Sequence, residues 1–165
     1  MRKSIFRMLG TCMLVTGLWG TTLSLATAAP APEQDSPGPL SEAKPFAVGY
    51  VILQVSDAEA VHHQATLDIA NNLMKHYGGQ DMVDIEVIAF GAGVPMLYAG
   101  NKDTEARVAS LIEHGVKFYI CGNTLDTIER KQGKRPTLQP GIQSVQTGVA
   151  FMVDEIRRGY VPIHP

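Results

Sequence analysis

Cys121 is the residue whose surroundings are best suited to chemistry. It stands in the run Gly115-Val116-Lys117-Phe118-Tyr119-Ile120-Cys121-Gly122-Asn123-Thr124-Leu125-Asp126. Residues 116–120 read as a buried strand and residues 123–131 as a short helix. Asn123 is the expected N-cap, with Asp126 three residues on in a capping-box-like spacing. Gly122 permits a sharp bend and close backbone approach. A sulfur at such a junction faces unpaired helix N–H groups and the positive end of the helix dipole. That setting favours the thiolate, which is the nucleophilic form. The competing reading is a strand-end cysteine packed as a small inert hydrophobe.

Other groups are expected near the same rim. His62 and His63 lie at the start of a helix, where one of them could act as a base or stabilise a thiolate; a solvated helix start is the alternative. Adjacent helical residues diverge by about 100°, so the pair does not chelate as a unit. With no HxxxH or CxxC spacing, no metal is assigned. The loop Gly91-Ala92-Gly93-Val94-Pro95-Met96-Leu97-Tyr98 fails as a dinucleotide fingerprint, because Met96 stands where a third glycine is needed. No cofactor is assigned. Exposing Val94, Met96, Leu97 and Tyr98 together would make a costly patch. Gly91, Gly93, Met96 and Tyr98 are therefore expected at a pocket or subunit interface, with packing over the domain's own core as the alternative. The basic cluster 130–135 suits a helix C-terminus.

These residues sit in a chain of 165 residues with 14 Lys+Arg, 16 Asp+Glu and a formal net charge of −2. Hydrophobic residues make up 45% and charged residues 18%, a globular composition with room for one ordinary domain. The charge excludes a nucleic-acid binder working by phosphate neutralisation.

Residues 1–28 read as a secretory signal peptide. Arg2, Lys3 and Arg7 form the basic region, an uncharged apolar stretch follows, and Ala26-Thr27-Ala28 is the cleavage signature. Five threonines and serines make the stretch weakly hydrophobic for a lasting span, so a periplasmic or secreted protein is expected, with no stable membrane insertion after cleavage. Cleavage removes Cys12. Cys121 is then the one cysteine of an exported chain, a pattern of intermolecular pairing or a reactive thiol. Residues 29–45 hold five prolines and read as a flexible linker, leaving 46–165 as the folded domain.

That domain alternates strand and helix. Strands are expected at 46–55, 83–90, 116–120 and 142–145, with a last short one at 160–163. Helices are expected at 60–77, 103–114, 123–131 and around Val149, Met152, Val153 and Ile156, the last at i, i+3, i+4, i+7 spacing. Ser56 and Asp57 offer capping chemistry to the first helix. Such alternation predicts an α/β fold, three layers with a mainly parallel sheet covered on both faces. Ligands then bind at the strand carboxyl ends, in loops 56–61, 91–102 and 121–124.

The stretch 46–165 resembles the DsrE/DsrF-like family of small sulfur-relay proteins. The residues that carry the resemblance are Val87-Ile88-Ala89-Phe90-Gly91, Gly115-Val116, Phe118-Tyr119-Ile120-Cys121-Gly122-Asn123-Thr124-Leu125 and Gly159-Tyr160-Val161-Pro162-Ile163-His164-Pro165. The resemblance implies a five-stranded sheet, assembly into homo- or hetero-oligomers, and a persulfide carried on Cys121. A sulfur donor or acceptor protein would be its partner. The well-understood relay members are cytoplasmic, whereas this chain carries an export signature. The rival expectation is a non-catalytic oligomeric binding module in which Cys121 only packs, and the sequence leaves open whether there is any turnover.

Overall fold

The computed structural model describes residues 44–165; the expected leader and nearly all of the expected linker lie outside them. Lys44, at the end of that linker, donates from Nζ to the carbonyls of Gln80, Val83 and Gly115 at 2.9–3.2 Å.

Ten elements follow in order. They are β1 (Gly49–Val55), α1 (Ala60–Tyr77), β2 (Val83–Ala89), a 3-10 segment (Gly91–Leu97), α2 (Glu105–Glu113), β3 (Lys117–Cys121), α3 (Gly122–Gln132), β4 (Gln143–Val145), α4 (Gly148–Arg158) and β5 (Val161–Ile163). All strand pairings are parallel, in the order β4-β3-β2-β1-β5. The expected five-stranded α/β architecture, with helices on both faces, is the one found. No helix among the described residues is long and apolar enough to cross a membrane.

The connectivity dictates the layers. From β1 through β2 and β3 to β4 the chain steps in one direction, so right-handed crossovers put α1, α2 and α3 on one face. The step from β4 to β5 runs back across the sheet and puts α4 on the other face. The packing agrees. Val51, Leu53, Val83, Ile85, Val87, Phe118 and Ile120 meet Leu67, Val108, Leu111 and Leu125 in one core. Ile52, Ile88 and Tyr160 form a smaller cluster against Phe151 and Met152 of α4.

That second face is also charged. Asp84 and Glu86 of β2 are buried there, as is Glu155 of α4. Asp84 Oδ2 accepts from Lys117 Nζ at 2.9 Å and from Tyr160 OH at 2.7 Å. Glu155 takes a bidentate contact from Arg158 Nη1 at 2.8 and 2.9 Å. The same buried charges set the orientation of α4. Its period was legible, but the buried phase carries Gly148 and Glu155, while Val149, Val153 and Ile156 are 49%, 38% and 38% exposed. The polar residues of β2 and β3 draw the polar side of the helix inward.

Three boundaries move as well. β1 starts at Gly49, where its partner β2 begins, because a turn closed by the Ala47 N–H on the Lys44 carbonyl precedes it. Phe46 and Val48 are exposed. The cap of α1 is Glu59 rather than Ser56 or Asp57. The cap of α3 is Cys121 itself, in extended conformation with no side-chain cap bond, so Asn123 falls inside the first turn.

Candidate functional site

Adjacent strands whose following helices lie on opposite faces leave a crevice at their carboxyl ends. Here those strands are β3, leading to α3, and β4, leading to α4. Cys121 is the last residue of β3, so the first turns of both helices converge on its sulfur. The Gly148 N–H of α4 donates to Cys121 Sγ at 3.3 Å. From α3, the Thr124 hydroxyl and the backbone N–H groups of Asn123 and Thr124 also act on the sulfur. The Thr124 hydroxyl is oriented in turn, because its oxygen accepts from the Gly91 N–H at 3.1 Å and its proton is left to point at Sγ.

The result is a thiol held below its usual range. The largest single influence is burial, which raises the pKa, and Cys121 is only 6% exposed. The Thr124 hydroxyl and the three N–H donors together outweigh it, so the net direction is down. A depressed thiol needs direct donors as well as a dipole, and the structure supplies them.

The glycines are spatial requirements. A Cβ on Gly148 would lie 3.0 Å from the Cβ of Cys121 and 3.4 Å from Phe90 and Ile88. A Cβ on Gly122 would lie 3.3 Å from the Val145 carbonyl oxygen. Asn123 ties the β4–α4 loop into place. Its backbone N–H donates to the Gln146 carbonyl at 3.0 Å, its Nδ2 donates to Thr147 Oγ1 at 3.0 Å, and its Oδ1 accepts from Gln146 Nε2 at 2.6 Å. The expected capping box is replaced by these bonds, and Asp126 pairs with Arg135 instead. Beside the sulfur, Gly91, Asn123, Thr124, Thr127, Ile128 and Lys131 line an open cleft of about 470 Å³.

Cys121, Gly122, Asn123 and Gly91 thus come together. His62 and His63 do not contact the sulfur; they gather with Asp57 beyond the end of β1. His63 Nε2 donates to the Asp57 carbonyl at 2.8 Å, and His62 Nδ1 lies 3.2 Å from Asp57 Oδ2. The hydrophobic loop divides between its two expected roles. Val94, Met96 and Leu97 are wholly buried in the domain's own core, whereas Tyr98, half-buried at its edge, lines a surface cavity of about 330 Å³ with Gln132, Arg135 and Thr137. Gly93 lies tight under β1, where a Cβ would fall 2.3 Å from the Val55 carbonyl oxygen. Thr124, Gln146 and Gly148 were not singled out from sequence. The glycine following Thr147 was the one available signal, and its meaning depends on a contact with Cys121 27 residues away.

No family model matches the chain, and no curated protein matches it. Among solved structures, the protein of unknown function MTH1491 from Methanobacterium thermoautotrophicum is 27% identical, with a TM-score of 0.62 over 71% of this chain and 99% of that one. The ychN protein of E. coli is 14% identical, with a TM-score of 0.56 over 72% of this chain and 100% of that one. The chain has the small α/β fold that both of them share.

Proposed function

We propose that the protein carries sulfane sulfur on Cys121. The observation that supports this most directly is the Gly148 N–H on Sγ, joined by donors from α3, around a thiol of lowered pKa. The fold shared with ychN agrees with it. In the reaction, the Cys121 thiolate attacks the outer sulfur of a persulfide R–S–SH. The Cys121 S–S bond forms, the donor S–S bond breaks, and R–S⁻ leaves. An acceptor thiolate then attacks the outer sulfur of Cys121–S–SH, takes it, and returns Cys121 as thiolate. No net oxidation occurs, and the rates follow thiolate fraction and access. The N–H cluster stabilises Cys121 as the attacking anion and again as the leaving group.

The test is intact mass after exposure to polysulfide. The protein should gain increments of about 32 Da, one sulfur atom each, that dithiothreitol removes, and Cys121→Ser should gain none. Equal labelling of the two would reject the carrier.

The same reading has the chain exported, with cleavage after Ala28, on the strength of its basic–apolar–small order. N-terminal sequencing of exported material should begin at Ala29. Self-association is also part of it, supported by the exposed Val149, Val153 and Ile156 of α4 rather than by Leu97, which is buried.

A further inference from the structure

Beyond the end of β1, away from the Cys121 crevice, side chains from three segments converge. Asp57 and Glu59 lie in the β1–α1 loop, His62 in the first turn of α1, and His164 just past β5. Parallel pairing of β5 with β1, Leu53 opposite Ile163, carries His164 to the level of this loop. Asp57 Oδ2 lies 3.2 Å from His62 Nδ1 and 3.1 Å from His164 Nε2. Ligand atoms of Asp57, Glu59 and His62 all lie within 4.8 Å of one another. His63, on the next position of α1, binds the Asp57 backbone carbonyl at 2.8 Å and so fixes the loop from which Asp57 projects.

We propose that Asp57, Glu59 and His62 bind a divalent transition cation of the zinc class, with His164, held on Asp57 Oδ2 and Ser56 Oγ, as the group that orients the carboxylate. The spacing supports it. Zinc bonds of about 2.0–2.1 Å to imidazole nitrogen and carboxylate oxygen put neighbouring ligand atoms of a tetrahedron about 3.3 Å apart, and the 3.2 Å from Asp57 Oδ2 to His62 Nδ1 is close to that edge. The bonding supports it independently. His62 Nδ1 is shielded from solvent and makes no hydrogen bond, although it faces the carboxylate. Its lone pair or proton is poorly aligned for Asp57 but available to an ion between them. An imidazole nitrogen in the ligand set favours zinc, cobalt or nickel over the hard cations magnesium and calcium. Spacing along the chain hides such a site, because Asp57 and His164 are 107 positions apart.

The site stands independently of the sulfur reading, and the test keeps them apart. The full chain is titrated with zinc chloride by calorimetry and, separately, with cobalt(II) followed by visible absorption. One equivalent should bind, with cobalt giving visible bands but no strong near-ultraviolet thiolate charge-transfer band. His62→Ala and His164→Ala should each weaken zinc by about tenfold or more, as even groups that only orient metal ligands do. Asp57→Asn should do the same. Cys121→Ser should bind as wild type. Both histidines are substantially exposed, so the variants should fold, and circular dichroism without metal checks it. Absence of saturable binding overturns the site. So does binding that survives both histidine substitutions, and so does binding lost with Cys121→Ser.

Discussion

The backbone N–H of Gly148 reaches the sulfur of Cys121 at 3.3 Å across the crevice between β3 and β4. Two residues 27 positions apart thereby make a single anion site, and each constrains the other. The sulfur needs the amide, and the amide can approach only because residue 148 has no side chain.

Gly148→Ala should therefore damage reactivity and stability together. The new methyl meets Cys121 Cβ at 3.0 Å, and overpacking of this kind costs about 1–3 kcal/mol. Displacing a hydrogen bond to a charged sulfur should raise the alkylation midpoint of Cys121 by about one pH unit. Iodoacetamide rates against pH measure the second effect and urea unfolding the first. An unmoved midpoint would show that the Gly148 amide does not stabilise the thiolate.

Thr124→Val should keep the shape and remove the hydroxyl. The Cys121 midpoint should rise, since that hydroxyl is the strongest of the groups lowering it. Thr124→Ser should restore it. The valine variant also leaves the Gly91 N–H without its partner, so a stability loss of about 1 kcal/mol is expected. Rescue by serine of both properties is the pattern to look for; failure of serine to restore the midpoint would assign the effect to packing.

Glu86 predicts a pH dependence unrelated to the thiol. Burial, then the nearby Glu155, pushes its carboxyl up to about 7, against the opposing pull of Lys117, with Asp84 adding to the rise. The folded protein thus holds a proton between about pH 4.5 and 7 that the unfolded chain releases. The native state binds more protons in that window, so unfolding free energy should fall as pH rises through it and level off above about 7. The span is at most about 3 kcal/mol. Glu86→Gln should flatten the slope. Urea midpoints at pH 5, 6, 7 and 8 for both proteins decide it, and equal slopes would reject the assignment.

Association through α4 is tested with Val153→Glu. Light scattering should find the wild type larger than a monomer and the variant shifted toward monomer, with thermal stability nearly unchanged because Val153 is a surface residue. A monomeric wild type at high micromolar concentration would remove α4 from consideration as an interface.

The fold was legible because its signal is periodic and redundant. Apolar strands and helices alternated with clear stops, and Gly78 and Gly133 end α1 and α3 in left-handed conformation. The phase of α4 was not legible, since it depends on Asp84, Glu86 and Lys117 lying across the sheet from it. The position of Cys121 at a strand–helix junction was read correctly, but the cap was misplaced by two residues. Asn123 is spent on Gln146 and Thr147, contacts that a capping rule based on nearest neighbours cannot contain. The donors to the sulfur are mostly backbone amides, and a main-chain group leaves no mark on residue identity. For the histidine pair the sequence offers a place beside the thiol or a solvated helix start, and Asp57 at the end of β1 holds both rings away from the sulfur.

The two outermost strands bear on how copies of the protein can meet. β4 and β5 are each three residues long, and β5 carries Pro162 at its centre. A proline offers no amide to a neighbour, and three residues are too few to template another strand. Among the described residues both margins of the sheet are short, which disfavours continuous cross-chain ribbons growing from either edge. Contacts between molecules would then fall on side-chain surfaces such as the exposed valines of α4.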